Sequence, residues 1–340
     1  MNYGCDRRSF LRRSLLASAG SALAPSLEEK ILLAQTKQSG SHTTEDARRN
    51  APHGLPCGMI GTVKLSRLIL GGNLIGGVAH SRDLTYVSEL IRNYFTDEKI
   101  METWEMAEEC GINTMSAWPS ERMLRVYKRY RDERGGTIQW LGHTNFSKQS
   151  LQTCIDNGAV GIYVCGDPAD MCVKTNRLDL LAEAISFIRQ NGLFAGIACH
   201  EIRVVKALAE AGIGVDFFMK TLHSGNYWSA TPKQDRKYGV RIWDPGFDPS
   251  DHTSGHYHDN IWCIDPDTTI DYMERVSTPW MAFKVLAAGA IHPQAGFKYA
   301  FENGADFIHV GMFDFQIREN AAITNRILSS QLTRKRAWRV

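Results

Sequence analysis

The chain carries no cysteine pair in the C-x-x-C spacing, although it has eight cysteines, at positions 5, 57, 110, 154, 165, 172, 199 and 263. That excludes a zinc ribbon and a thioredoxin-type redox site as expectations. Most of these cysteines lie in apolar surroundings, where cysteine behaves as a small buried hydrophobe. No uninterrupted run of about 18 apolar residues exists, so no stable membrane span is expected. Neither sign of charge dominates: 39 Lys and Arg against 37 Asp and Glu give a formal net charge of +2. The basic residues are spread out except near the termini, so composition offers no argument for a nucleic-acid partner. What is present is enough apolar material for a sizeable core, 43% of 340 residues, in one large domain or two ordinary ones.

The amino-terminal segment stands apart from that core. "CDRRSFLRRSLLASAGSALA" places Arg7 and Arg8 before Ser9-Phe10-Leu11, then a modest apolar run with Leu15, Leu16 and small residues. This pattern matches a twin-arginine export signal over residues 1–34, an address to be left out of fold reasoning. A basic tail that happens to hold arginine pairs is the plainer alternative. Cleavage could follow Ala22-Leu23-Ala24, where Pro25 would hinder a peptidase, or the Ala17–Gly20 stretch. The expected location is therefore periplasmic or otherwise extracytoplasmic, with the twin-arginine machinery as a partner. That route carries folded proteins and suits a chain that acquires a cofactor before export. Residues 35–58, rich in Ser, Thr, Gln, Pro and Gly, read as a flexible linker.

From residue 59 to 330 strand-like apolar runs alternate with amphipathic helices. The runs are "RLILGG", "INTMSAW", "TIQWLGH", "AVGIYVCG", "LFAGIACH", "VDFFMK", "WMAFKVLAAG" and "DFIHVGM". Glycines 111, 158, 192, 212 and 304 stand where helices should stop. Strands buried on both faces read as continuous apolar runs. Eight unbroken strand–helix units predict an α/β fold, a (β/α)8 TIM barrel; an open doubly wound sheet is the alternative. In such a barrel the chemistry sits where strands end. Those ends present Asn73, Ser116, His143 with Asn145, Cys165-Gly166-Asp167, His200-Glu201, Lys220 with His223, Lys284, and Gly311-Met312. A long segment, 221–268, follows the sixth strand and is dense in aromatic, His and Asp residues. Its length and its aromatics predict a lid, with Trp228, Trp243, Tyr257 or Trp262 facing the site. The "HTSGHYHD" stretch within it reads as a solvated lid rather than a metal site.

From Leu65 to about Leu328 the chain resembles a divergent member of the aldo/keto reductase superfamily. The residues that carry the likeness are "VKLSRLILGGNLIGG", "GIACHEIRVVKALAEAGIGVDFFM", "MAFKVLAAGAI" and "AFENGADFIHVGMFDFQIREN". The resemblance implies an NADP cofactor. Its phosphate and adenosine ends would meet Lys284, Leu286, Gly289, Gly311, Met312, Gln316, Glu319 and Asn320. It also implies carbonyl reduction with a Tyr proton donor, assisted by Asp, Lys and His at the ends of strands two, three and four. Here those places hold Ser116, a short "AWPSE" loop without Tyr, His143, and Cys165-Gly166. All four positions are substituted.

Two expectations follow. One is an exported aldo/keto-reductase-like oxidoreductase with a replaced acid–base set drawn from His143, His200, Glu201, Lys220 and His223. The other is a non-redox barrel enzyme, a metal-assisted lyase, isomerase or hydrolase acting on a sugar-like compound with a divalent metal, using His143, His200, Glu201 and His223. Structural histidines and a retained scaffold are the plain alternatives for each group. In either case the partner is a small-molecule substrate, and Trp118, Tyr227 and Trp228 suit a sugar or an aromatic ring. Replacing Arg7 and Arg8 together by Lys should leave the protein in the cytoplasm, because the export signal is read as two guanidinium groups. Fractionation of cells expressing the double variant checks this; normal export would remove the signal reading.

Overall fold

The chain divides near Ala51, and the barrel lies in the unit Pro52–Val340. The computed structural model describes residues 54–81, 84, 86–236 and 263–340, with the backbone alone at 241–243 and 257–259. The export segment, most of the linker, and lid residues such as Trp262 and His252 lie outside the described residues. Among described residues, no helix is long and apolar enough to cross a membrane.

A hairpin comes first, β1 (Cys57–Ile60) paired antiparallel with β2 (Val63–Ser66). It takes in Cys57 and Gly58, which composition alone had assigned to the linker. Eight parallel strands then close into one barrel: β3 (Leu68–Gly71), β4 (Thr114–Ala117), β5 (Gln139–Thr144), β6 (Gly161–Val164), β7 (Phe194–Cys199), β8 (Phe217–Thr221), β11 (Trp280–Phe283) and β12 (Phe307–Gly311). Between β8 and β11 the insertion contains a short antiparallel pair, β9 (Arg241–Trp243) and β10 (Tyr257–Asp259).

Among the described residues ten α-helices accompany the strands: α1 (Val87–Tyr94), α2 (Asp97–Glu109), α3 (Glu121–Arg134), α4 (Lys148–Asp156), α5 (Gly166–Lys174), α6 (Leu178–Gln190), α7 (Ile202–Glu210), α8 (Pro266–Met273), α9 (Pro293–Glu302) and α10 (Asp314–Ser329). Their starts are chemically marked. Thr96, Ser120, Ser147 and Asp265 each accept from a backbone N–H of the first turn. Gly135 ends α3 in the left-handed region at φ 66°. Helices α1 and α5 are additions to the units read from the sequence.

Alternation along the strands sorts the side chains. Ile69, Leu141, Tyr163, Phe194, Ala198, Phe217, Met219, Met281 and Phe307 form one apolar cluster, the barrel interior, joined by Ile60 and Leu65 of the hairpin. Leu68, Leu70, Met115, Trp140, Ile162, Ile197, Phe218, Trp280 and Ile308 belong to the other, between barrel and helices. The seam between β3 and β4 is the thinnest, paired at Leu70 and Met115. A Cβ on Gly72 would lie 2.0 Å from the Ser116 carbonyl oxygen, so only glycine fits beside that seam.

The carboxyl-terminal tail is anchored by a charge buried at the start of β12. Asp306 and Arg336 are both fully enclosed and meet at 2.6 Å. Asp306 also accepts from the backbone N–H groups of Trp280 and Arg339, both at 2.9 Å. Arg336 donates further to the carbonyls of Gly304 and Thr278, at 2.9 and 2.8 Å. The Trp338 ring lies between the guanidinium groups of Arg334 and Arg67, 3.4 and 3.8 Å from its centroid. Asp306→Asn keeps the shape but leaves two buried guanidinium groups without their countercharge. We expect a loss of about 3–5 kcal/mol in denaturant unfolding, the range for breaking one side of a buried pair. A change below about 1 kcal/mol would contradict the anchoring role.

Candidate functional site

The alternation that builds the core also decides which strand-end residues reach the mouth. Ser116 on β4, His143 on β5, Tyr163 on β6 and His309 on β12 all fall at inward positions, one step above the apolar interior. Ser116 Oγ lies 2.5 Å from His309 Nε2, and the Tyr163 hydroxyl donates to Ser116 Oγ at 3.4 Å. The serine hydroxyl and the ring nitrogen thus share one short hydrogen bond. Burial holds this floor uncharged: it lowers His143 to about 3 and His309 to about 4, and raises the Tyr163 phenol. The His143 ring is 5.7 Å from Tyr163 and 5.9 Å from Trp118, centroid to centroid. Its Nδ1 is buried and has no hydrogen-bond partner.

His200 continues β7 into the mouth at the next inward position. Its Nδ1 lies 2.7 Å from Asp170 Oδ2, and Asp167 stands farther off at 3.8 Å. Asp170 also accepts from the backbone N–H groups of His200 and Glu201. The imidazole occupies space that Gly166 leaves open, since a Cβ there would come within 2.3 Å of the ring. Burial raises Asp170 to about 7, the hydrogen bonds opposing it, and the same burial pushes His200 well below its ordinary range, helped by the positive charge of Lys284. One proton therefore serves the pair near neutral pH, and Nε2 is the ring nitrogen on the side away from Asp170.

Three residues predicted for the acid–base set take other parts. Lys220 falls at an outward position of β8. Its ammonium is buried behind the wall, donating to Thr221 Oγ1 at 2.7 Å and to the Thr221 carbonyl at 3.0 Å. In His223 both ring nitrogens are committed: Nδ1 donates to the Ser224 carbonyl at 2.9 Å, and Nε2 accepts from the Cys263 N–H at 2.6 Å. That ring clamps the two ends of the insertion. Glu201 stands at the N-cap of α7 and is paired with Arg203, which donates to it at 2.7 Å.

The residues expected at the cofactor end gather in two segments. Lys284, Leu286 and Gly289 lie on the turn after β11, where Lys284, Ala287, Ala288 and Gly289 all have positive φ, from 47° to 89°. Three of these are not glycine, which marks a held, strained turn. Gly311 and Met312 lead into α10. Gln316 caps that helix by accepting from the Phe313 N–H at 3.1 Å. Asn320 is buried, whereas Glu319 is exposed. Asp314, in the first turn, is tied to Lys99 at 3.2 Å and to the Tyr94 hydroxyl at 2.5 Å. Tyr227, at the start of the insertion, packs against Ala287 and Ile291 of the turn. Trp228 is 93% exposed and does not line the mouth as expected. The side chains of Trp243 and Tyr257, like Trp262, lie outside the described residues.

Asp170, Tyr163 and His309 were not read from the sequence as site residues. Tyr163 and His309 could have been found by counting two residues along each strand from an interior apolar position. Asp170 sits on α5, whose short "GDPADMCVK" reads as loop.

The Asp170 carboxyl gives a pH test with a defined sign. Its value rises from 3.8 to about 7 on folding, so the folded state holds the proton over that window and the unfolded state does not. Its contribution is therefore fully present at low pH and is lost as pH rises toward 7. Asp170→Asn should flatten this part of the dependence of melting temperature on pH. An unchanged profile would show that the carboxyl titrates in its ordinary range.

No protein-family profile matches the chain, and no curated protein matches it. Solved structures do. Two from Pseudomonas aeruginosa, aldo-keto reductases by assignment only, are similar with TM-scores of 0.52 and 0.53, each at 16% identity. The first match covers 83% of this chain and 100% of the other; the second covers 82% and 97%. At that identity the likeness carries the fold, a barrel of the kind these reductases share.

Proposed function

We propose that the protein is an exported oxidoreductase of the aldo/keto reductase type, using NADP and a proton-transfer pair unlike that family's usual set. The observation that carries the reading is the His200–Asp170 pair at the inward end of β7, within the electrostatic reach of Lys284. The donor set fits a phosphate-bearing dinucleotide. Lys284 would supply an ammonium from the turn after β11, and α10 begins after the neighbouring strand β12. Asp314 would oppose a phosphate there, but its charge is already met by Lys99. Gln316 and Asn320, one helical turn apart on α10, would meet the adenosine end. Bound there, the nicotinamide would supply the hydride donor or acceptor.

The chain's own residues then have distinct tasks. Asp170 holds Nδ1 of His200, so that Nε2 can give a proton to a developing alkoxide or take one from a hydroxyl. Ser116 and the neutral imidazoles beside it exclude charge from the floor. The Arg7-Arg8 signal accounts for a location outside the cytoplasm. A second reading keeps a specific observation in its favour: ligand atoms of Asp167, Asp170 and His200 lie within 4.8 Å of one another, a spacing a divalent metal could bridge. A metal there would displace the proton shared by His200 and Asp170, and a metal-assisted lyase, isomerase or hydrolase would follow.

NADPH titrated into the purified protein should bind with micromolar affinity or better, as read by calorimetry and by the change in nicotinamide fluorescence. The double variant Gln316→Ala, Asn320→Ala should weaken it by about 2 kcal/mol, the cost of removing two polar partners from a buried ligand. His200→Ala should leave that affinity unchanged while abolishing turnover. No heat and no fluorescence change, together with stoichiometric metal by elemental analysis, would overturn the reading in favour of the metal enzyme.

A further inference from the structure

Helix α1 carries an apolar stripe on the side away from the core. Ser88, Ile91 and the following Phe95 are buried, which fixes its inward side. Tyr86, at its N-cap, Leu90 and Tyr94 recur every fourth residue on another side, and are 57%, 58% and 37% exposed. The stripe runs on to the start of α10. Tyr94 meets Phe313 edge to face at 5.4 Å and donates to Asp314. Phe313 in turn stacks at 5.2 Å on Phe315, whose ring is 68% exposed. Tyr94 and Phe315 are thus held in place before anything meets them, which lowers the entropic cost of covering them. The four side chains leave roughly 400 Å² of mostly apolar surface in water, at about 150–250 Å² for a whole aromatic side chain. Contiguous apolar patches of that size are often binding faces.

We infer that this face pairs with the same face of a second copy of the chain, the two α1 helices lying antiparallel about a twofold axis at Leu90. The spacing makes the stripe self-complementary. About that axis Leu90 meets its own copy, and Tyr86 faces the partner's Tyr94. The charges on the helix agree with this register. Glu89 and Arg92 are exposed on one flank, on either side of Leu90. Antiparallel pairing about the axis keeps that flank on the same side in both copies, so Glu89 comes opposite the partner's Arg92, twice by symmetry. Arg92 also donates to the Gly77 carbonyl at 3.4 Å, which keeps its stem against the body of the protein. An interface of standard size covers about 800 Å² per partner, so the stripe would form its apolar centre, with Glu89, Arg92 and Asn93 in its polar rim. Antiparallel helices also set their dipoles head to tail. A parallel pairing would bring Glu89 beside the partner's Glu89 instead. The face contains none of the residues assigned to catalysis or cofactor binding, so the pairing does not depend on the oxidoreductase reading.

The test is sedimentation velocity of the purified protein over about 0.5–50 μM, where the parent should pass from monomer to dimer. Leu90→Arg sets two guanidinium groups face to face on the axis and should weaken the dimer about tenfold or more. Because Leu90 is largely exposed, that variant should keep the parent melting temperature. Glu89→Arg and Arg92→Glu, taken singly, each place like charges across the axis and should weaken the dimer. The two together restore opposite charges and should bring it back. A chain that stays monomeric throughout overturns the proposal, as does a dimer that either Leu90→Arg or Glu89→Arg leaves at parent strength. Failure of the double variant to recover, with its fold intact by circular dichroism, overturns the antiparallel register. A monomer that binds phosphatidylglycerol vesicles and loses them on Leu90→Arg would give the face to a lipid surface instead. Failure of NADPH to bind in the separate titration would count against the oxidoreductase reading and leave this interface untouched.

Discussion

Closing eight strands into a barrel forces every second side chain into one narrow interior, and the rest of the molecule follows from which residues occupy those positions. Low in the barrel they are Ile69, Leu141, Phe217, Met281 and Phe307, an apolar plug that keeps water out. One step higher they are Ser116, His143, Tyr163 and His309. The site is therefore a polar cap on a dry column, and its electrostatics are those of the column. Groups held there are pushed toward their neutral forms. Burial, more than any single neighbour, sets the protonation states of His143 and His309.

The same constraint separates the two kinds of positive charge near the mouth. Lys220 is one residue out of phase with the interior and spends its donors on Thr221 behind the wall. Lys284 is on a turn rather than a strand; both lysines act on His200, Lys284 the more strongly. Neighbouring in space, the two lysines have different environments because one strand register separates inside from outside. The opposite pole handles charge differently. There Asp306 and Arg336 are wholly buried, but each has several hydrogen-bond partners, so the cost of desolvation is met by geometry. At this pole both Arg336 and Arg334 face Asp306, at 2.6 and 3.8 Å.

Barrel, strand ends and most helices were legible because eight long apolar runs and five stop glycines state them directly. Among described residues, the short pieces were not. Helix α5 has nine residues with a proline near its start, too little for periodicity, and it carries Asp170. The hairpin before the barrel reads as the tail of a polar segment. His200 and His143 were legible as candidates because they end apolar runs. Lys220 is out of phase with the interior, which a strand end alone does not tell, and His223 spends both ring nitrogens on the ends of the insertion, which no local pattern states. Strand phase places Ser116 and His309 at inward positions, but nothing local shows that the two, far apart along the chain, meet each other.

That last pair bears on what the substitutions of a reductase-like site have done. The resemblance places an acid–base set of formal charges at the ends of strands two to four. This chain has a serine, an imidazole and a cysteine there instead, and a phenol one strand position below the cysteine. The phenol donates inward to Ser116, not outward to a ligand, and burial raises rather than lowers its value. It is thus a support for the floor and a poor proton donor at neutral pH. On the proposed reading proton transfer would lie around the rim at β7, where Asp170 of α5 stands 2.7 Å from Nδ1 of His200. A proton-transfer group at the rim, apart from the floor, would let the floor stay neutral while the rim titrates. A site with both tasks in one charged cluster could not keep those two conditions together.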